Sequence, residues 1–128
     1  MNPFEAIVTA ELTDLLRAGA ASRAVRLTVP ELIVERIVRG PLGPREVGET
    51  VEATIRAVCA LVTERGASEE WVEIVCGASF EAVRGHGGES ARWLTQATSA
   101  ASSVLDELIQ ARAEEPTWAW LARRLERW

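Results

Sequence analysis

The sequence predicts an all-α fold, a single-domain bundle of about six mostly antiparallel helices spanning residues 1–128. Three observations carry this. Apolar residues recur at three- and four-residue spacing along most of the chain, which is the period of one helix face. Glycine and proline fall between these periodic stretches, at Gly19, Gly40-Pro41, Gly43-Pro44, Gly66, Gly85 and Pro116, and the short connections they leave favour antiparallel neighbours. No region is rich in strands, and no linker is long enough to separate domains. A chain of 128 residues, 48% apolar and 26% charged, is long enough to bury a core and too apolar to be disordered.

The first helix is expected over Pro3 to Arg17. Asn2 is the N-cap candidate, and Pro3 sits where a missing N–H costs nothing. Phe4, Ile7, Val8, Leu12, Leu15 and Leu16 make one apolar face, and Gly19 is the stop. The stretch Ala24 to Val29 reads differently, because Val25, Leu27 and Val29 alternate with Arg26 and Thr28 in a strand pattern. One short strand has nothing in this chain to pair with. The stretch is therefore expected to be an extended connector or a frayed helix, with a second copy of the protein as a source of a partner strand.

Thr28-Val29-Pro30-Glu31 fits a capping box and sets the start of the second helix at Thr28. Leu32, Ile33, Val34, Ile37 and Val38 then cover much of its circumference, so this helix is expected either at the centre or in an interface. Gly40-Pro41 ends it. The third helix is expected over Pro44 to Arg65, with its stripe at Val47, Val51, Ile55, Val58 and Val62 and its stop at Gly66. Ser68 caps the fourth, whose stripe is Trp71, Val75, Ala78 and Ala82.

Gly85-His86-Gly87-Gly88 is expected to break the chain. The fifth helix then runs from Ser90 to Ala113, with Leu94, Ala97, Ala101, Val104, Leu108 and Ala111 in a heptad rhythm. Its middle, Ala97 to Ser103, is almost all small residues, which lets another helix approach closely. Pro116 opens the sixth helix, which reaches Trp128.

Composition narrows the function classes. All fourteen basic residues are arginine and alanine is the commonest residue, the bias of a high-GC bacterial genome. The net charge is −5 with no long basic stripe, so no nucleic-acid partner is expected. Apolar runs such as Leu32-Ile33-Val34 fall far short of the roughly 18 residues that span a bilayer. Residues Met1 to Glu5 show neither a basic n-region nor an apolar h-region, so no secretory leader is expected and a cytoplasmic location is. In that compartment Cys59 and Cys76 read as two small buried apolar residues rather than a disulfide.

The chain has no lysine, no tyrosine and one histidine, which leaves catalysis little to work with. No catalytic residue, metal or cofactor is expected. One histidine and two cysteines on separate helices cannot make a zinc site, paired Glu-x-x-His motifs for a di-iron centre are absent, and nothing beyond His86 supports haem. No elbow motif presents a serine nucleophile. The pairs Glu31/Glu35, Glu49/Glu52 and Glu70/Glu73 could do acid/base work only if one member were buried; otherwise they line solvated helix faces. The glycine turn with Arg84, His86 and Arg92 is a possible anion or ligand site at a helix N-terminus, though it lacks a Walker lysine and a preceding strand.

The terminal helix is the strongest binding candidate. Trp118, Leu121, Leu125 and Trp128 fall at +3, +4 and +3, arginines lie beside them, and three of the five tryptophans sit in this segment. Tryptophan and arginine are enriched at interface hot spots. The same pattern could close the chain's own bundle, and membrane contact is not expected. The function expected is a non-enzymatic, adaptor-like interaction or oligomerisation module that binds a protein partner or a second copy. Its partner-binding residues are Leu32, Ile33 and Ile37 of the second helix and Trp118, Trp120, Leu121, Arg124, Leu125 and Trp128 of the sixth. The alternative is a small-molecule-binding bundle with an apolar pocket near Trp71, Phe80 and Trp93 and an anion end at Arg84, His86 and Arg92. A weaker alternative is an enzyme with glutamate acid/base chemistry.

Overall fold

Phe4, Val8 and Leu12, each four residues after the last, form a buried stripe along α1 (Pro3–Arg17). Gly19 ends that helix in the left-handed region at φ +65°. The Gly19 N–H reaches the Leu16 carbonyl at 3.1 Å and the Ala20 N–H reaches Leu15 at 3.0 Å, a Schellman closure. The computed structural model describes residues 3–38, 43–86, 90–110 and 119–125. Among them the chain is an all-α bundle of six helices with no strand: α1, α2 (Ser22–Val38), α3 (Pro44–Arg65), α4 (Glu70–His86), α5 (Ser90–Gln110) and α6 (Trp120–Leu125).

The second helix corrects the sequence reading. It starts at Ser22, so Ala24 to Val29 is neither extended nor a connector, and Thr28 lies mid-helix instead of capping it. Pro30 sits inside, where it removes a backbone donor and costs about 3 kcal/mol. The compensation is packing. Val25, Val29 and Ile33 are fully buried at i, i+4 and i+8, and each such side chain contributes roughly 1.5–3 kcal/mol. Their spacing is four rather than two, and Leu27, which completed the strand pattern, stands 59% exposed.

The sequence left α2 either central or in an interface; the central helix is α3. From Val47 to Leu61 it is buried on nearly every side. Pro44 opens it, and Gly66, at φ 72°, closes it, with the Ala67 N–H reaching back to Leu61 at 3.2 Å. Helices α1, α3 and α5 pack in that order, α2 and α4 pack on each other, and α4 also packs on α3 and α5. The short α6 lies on α5. The α3–α5 contact uses the small residues: Ala97 and Ala101 are fully buried, and Gly48 lies against the Gln96 backbone and Ala100.

At the edge of that contact Arg56 of α3 donates from Nε to Glu52 at 3.1 Å and reaches Glu107 of α5. Burial opposes its charge, yet the two carboxylates outweigh burial and hold the guanidinium above its usual range. Such a partly exposed cluster contributes no more than about 1 kcal/mol.

The fourth helix is capped as expected, with the Ser68 hydroxyl accepting from the Glu70 N–H at 3.3 Å. Its end departs from expectation, because Gly85 and His86 continue the helix rather than starting a loop. The expected Gly40-Pro41 stop, the Gly87-Gly88 turn, the Ala113 end and the Pro116 start lie outside the described residues. No helix among the described residues is long and apolar enough to cross a membrane.

Candidate functional sites

Two recesses in the helix surface collect the chemistry this chain offers. The first is a cleft of about 290 Å³ between α1 and α2. Phe4 and Ile7 come from α1 and Leu32 from α2, with Glu11, Glu35 and Arg36 around them. Ile7 lies on one edge of the α1 stripe, and it is 51% exposed while Val8 beside it is fully buried. An apolar centre with charged groups of both signs around it results.

The second recess, about 380 Å³, lies where α2, α4 and α6 meet. Residues Glu70, Glu73, Ile74, Gly77 and Glu81 all line it, and their spacing of i, i+3, i+4, i+7 and i+11 puts them on one face of α4. Phe80 and Cys76 add to that side, α2 contributes Arg26, and α6 contributes Leu121. The Ser22 hydroxyl ties the start of α2 to Glu70 at 3.3 Å.

The candidate residues divide between these places. Leu32 is half-buried in the first cleft, while Ile33 is fully buried in the core. Leu121 is buried beside the second recess, and Trp120 stands 40% exposed next to it in sequence. Ile37, Arg124 and Leu125 lie in helices, but their side chains are outside the described residues, as are Trp118 and Trp128 altogether. Arg84 and Arg92 are exposed, at the end of α4 and the start of α5, and neither lines a recess; the His86 side chain is outside the described residues. Of the three aromatics expected around a pocket, Phe80 lines the second recess, Trp71 is buried in the core, and Trp93 packs against it half-buried.

Ile7, Arg26 and Gly77 were not singled out from the sequence as site residues. A glycine inside a helical pattern is a readable signal, and Gly77 was the one to weigh. The other two owe their place to tertiary packing.

Polar groups in the core are satisfied locally. Thr50, Thr54 and Ser79 are buried, and each hydroxyl donates to the carbonyl four residues earlier, at 2.8, 2.9 and 2.7 Å. Every described aspartate and glutamate is exposed or half-exposed. Glu49 pairs with Arg45 at 3.2 Å and Glu52 with Arg56. The buried carboxylate that acid/base chemistry requires is not among the described residues, nor is a cluster of three potential metal ligands.

Cys59 and Cys76 are both buried and form no disulfide. Burial pushes the Cys76 thiol up, and Cys59 and Glu73 push it the same way. The thiolate is the reactive form, so Cys76 is expected to resist a thiol reagent at pH 8 until the chain unfolds. Mass-resolved alkylation with and without denaturant checks this; equal labelling in both would contradict the burial.

No protein-family model, curated protein or solved structure matches this chain.

Proposed function

We propose that the chain is a non-enzymatic interaction module that associates with a second copy of itself through the α1–α2 cleft. One observation carries the reading: Ile7 is half-exposed beside Phe4 and Leu32, inside a rim of Glu11, Glu35 and Arg36. An apolar centre within a polar rim is the anatomy of a protein interface. A rim with both signs of charge suits a two-fold arrangement, in which Arg36 of each copy faces a carboxylate of the other.

Light scattering behind size exclusion, over a wide concentration range, tests the reading. A concentration-dependent dimer is expected. Ile7→Glu is expected to weaken it about tenfold or more, since burying one isoleucine is worth roughly 1.5–3 kcal/mol, with helical content unchanged because the side chain is half in solvent already. A monomer at every concentration rules the self-association out.

A further inference from the structure

We infer that Cys59 and Cys76 form a latent cross-link: exchange with a small disulfide such as oxidised glutathione joins them within one chain and pins α4 to the central helix α3. The inference stands apart from the self-association reading, whose cleft contains neither residue.

Register places the pair. Cys59 lies six residues before Arg65, the end of α3, and Cys76 lies six residues after Glu70, the start of α4. A connection of only four residues, 66–69, turns α4 back along α3, and the two helices pack on each other. At 1.5 Å of rise per residue each cysteine therefore stands about 9 Å from the turn, on the same level. Helices in contact lie roughly 8–10 Å apart between axes, a separation that brings facing Cα atoms within the roughly 4.4–6.8 Å a disulfide spans. Both side chains are buried, and a charge at Cys59 is felt at Cys76.

Packing does not account for the choice of residue. The same two helices fill their other small buried positions with alanine, at Ala53, Ala57, Ala78 and Ala82. The chain has two cysteines in all, and they fall at matching positions of one hairpin.

The exchange balances without a metal. One cysteine thiolate attacks the small disulfide, forms a mixed disulfide and expels one small thiolate. The other cysteine thiolate then attacks the protein sulfur of that mixed disulfide, expels the second small thiolate and closes the bridge. The two cysteines lose two protons and two electrons, and the small disulfide gains both. Burial keeps the Cys76 thiol protonated, so the closed hairpin is inert and exchange runs through its opening. The bridge, once made, opposes further opening.

The test equilibrates the full chain in glutathione redox buffers, once in native buffer and once in denaturing urea, followed by acid quenching and intact mass. The bridged chain is two hydrogens lighter than the reduced one. Its equilibrium constant is expected to be about a hundredfold larger in native buffer than in urea, the factor of a typical native disulfide. Packing has already brought the sulfurs together in the folded chain, whereas the unfolded chain must close a loop over residues 60–75. Cys59→Ser and Cys76→Ser are each expected to take up one glutathione and form no bridge. A ratio below about tenfold overturns the proposal. So does a native-buffer population dominated by chains carrying two glutathiones, or by disulfide-linked pairs of chains.

Discussion

Phe80→Ala is expected to lower the free energy of unfolding by about 3–5 kcal/mol, the largest effect of any single truncation proposed for this chain. Phe80 is 1% exposed and the largest of the fully buried side chains. It sits on α4, the helix that packs on α2, α3 and α5 together. A domain of this size has roughly 5–15 kcal/mol in total, so the variant is expected to be partly unfolded well below the wild-type transition. Urea denaturation followed by circular dichroism measures the difference. A loss below about 1 kcal/mol, less than any typical buried-aromatic truncation, would remove Phe80 from the core and with it the apolar lining assigned to the α2–α4–α6 recess.

The sequence made the ends of α1 and α3 readable because local chemistry decides them. Pro3 and Pro44 can open a helix but not sit comfortably inside one, and Gly19 and Gly66 both adopt the left-handed conformation that ends one. The same logic misread α2. Thr28-Val29-Pro30-Glu31 carries a genuine local start signal, yet burial of the α2 row Val25–Val29–Ile33, in the helix that packs on α4, overrides it. That override is a tertiary effect, and periodicity over six residues cannot separate a spacing of two from a spacing of four when Val25 and Val29 satisfy both.

The recesses were legible only in part, for a similar reason. Leu32, Phe80 and Leu121, which line them, stand out by residue type. The carboxylates of α4 form a row that reads as an ordinary solvated face, and only the arrival of Arg26 from α2 and Leu121 from α6 turns that row into the wall of a groove. Ile7 reads as part of the α1 core stripe, and only the packed structure shows it half-exposed at the α1–α2 cleft.

Ala97→Leu with Ala101→Leu is expected to abolish cooperative unfolding while leaving much of the helix signal. Both alanines are fully buried where α5 meets α3. An overpacked core position costs typically about 1–3 kcal/mol, and here two sit one turn apart in the same seam, so the displaced α3 cannot accommodate one without worsening the other. The neighbouring Gly48→Ala separates bulk from mere substitution. A Cβ there would lie 3.6 Å from the Gln96 carbonyl oxygen and 3.8 Å from the Ala100 Cβ, ordinary contact distances. Relieving glycine in a helix interior is worth about 0.5–1 kcal/mol, so that variant is expected to hold or raise the midpoint. Near-ultraviolet circular dichroism, to which buried Trp71 contributes, and the sharpness of the thermal transition read both variants. A sharp transition at the wild-type midpoint in the double leucine variant would mean that α3 and α5 are not closely packed, and the small-residue stretch that first suggested their approach would lose its structural meaning.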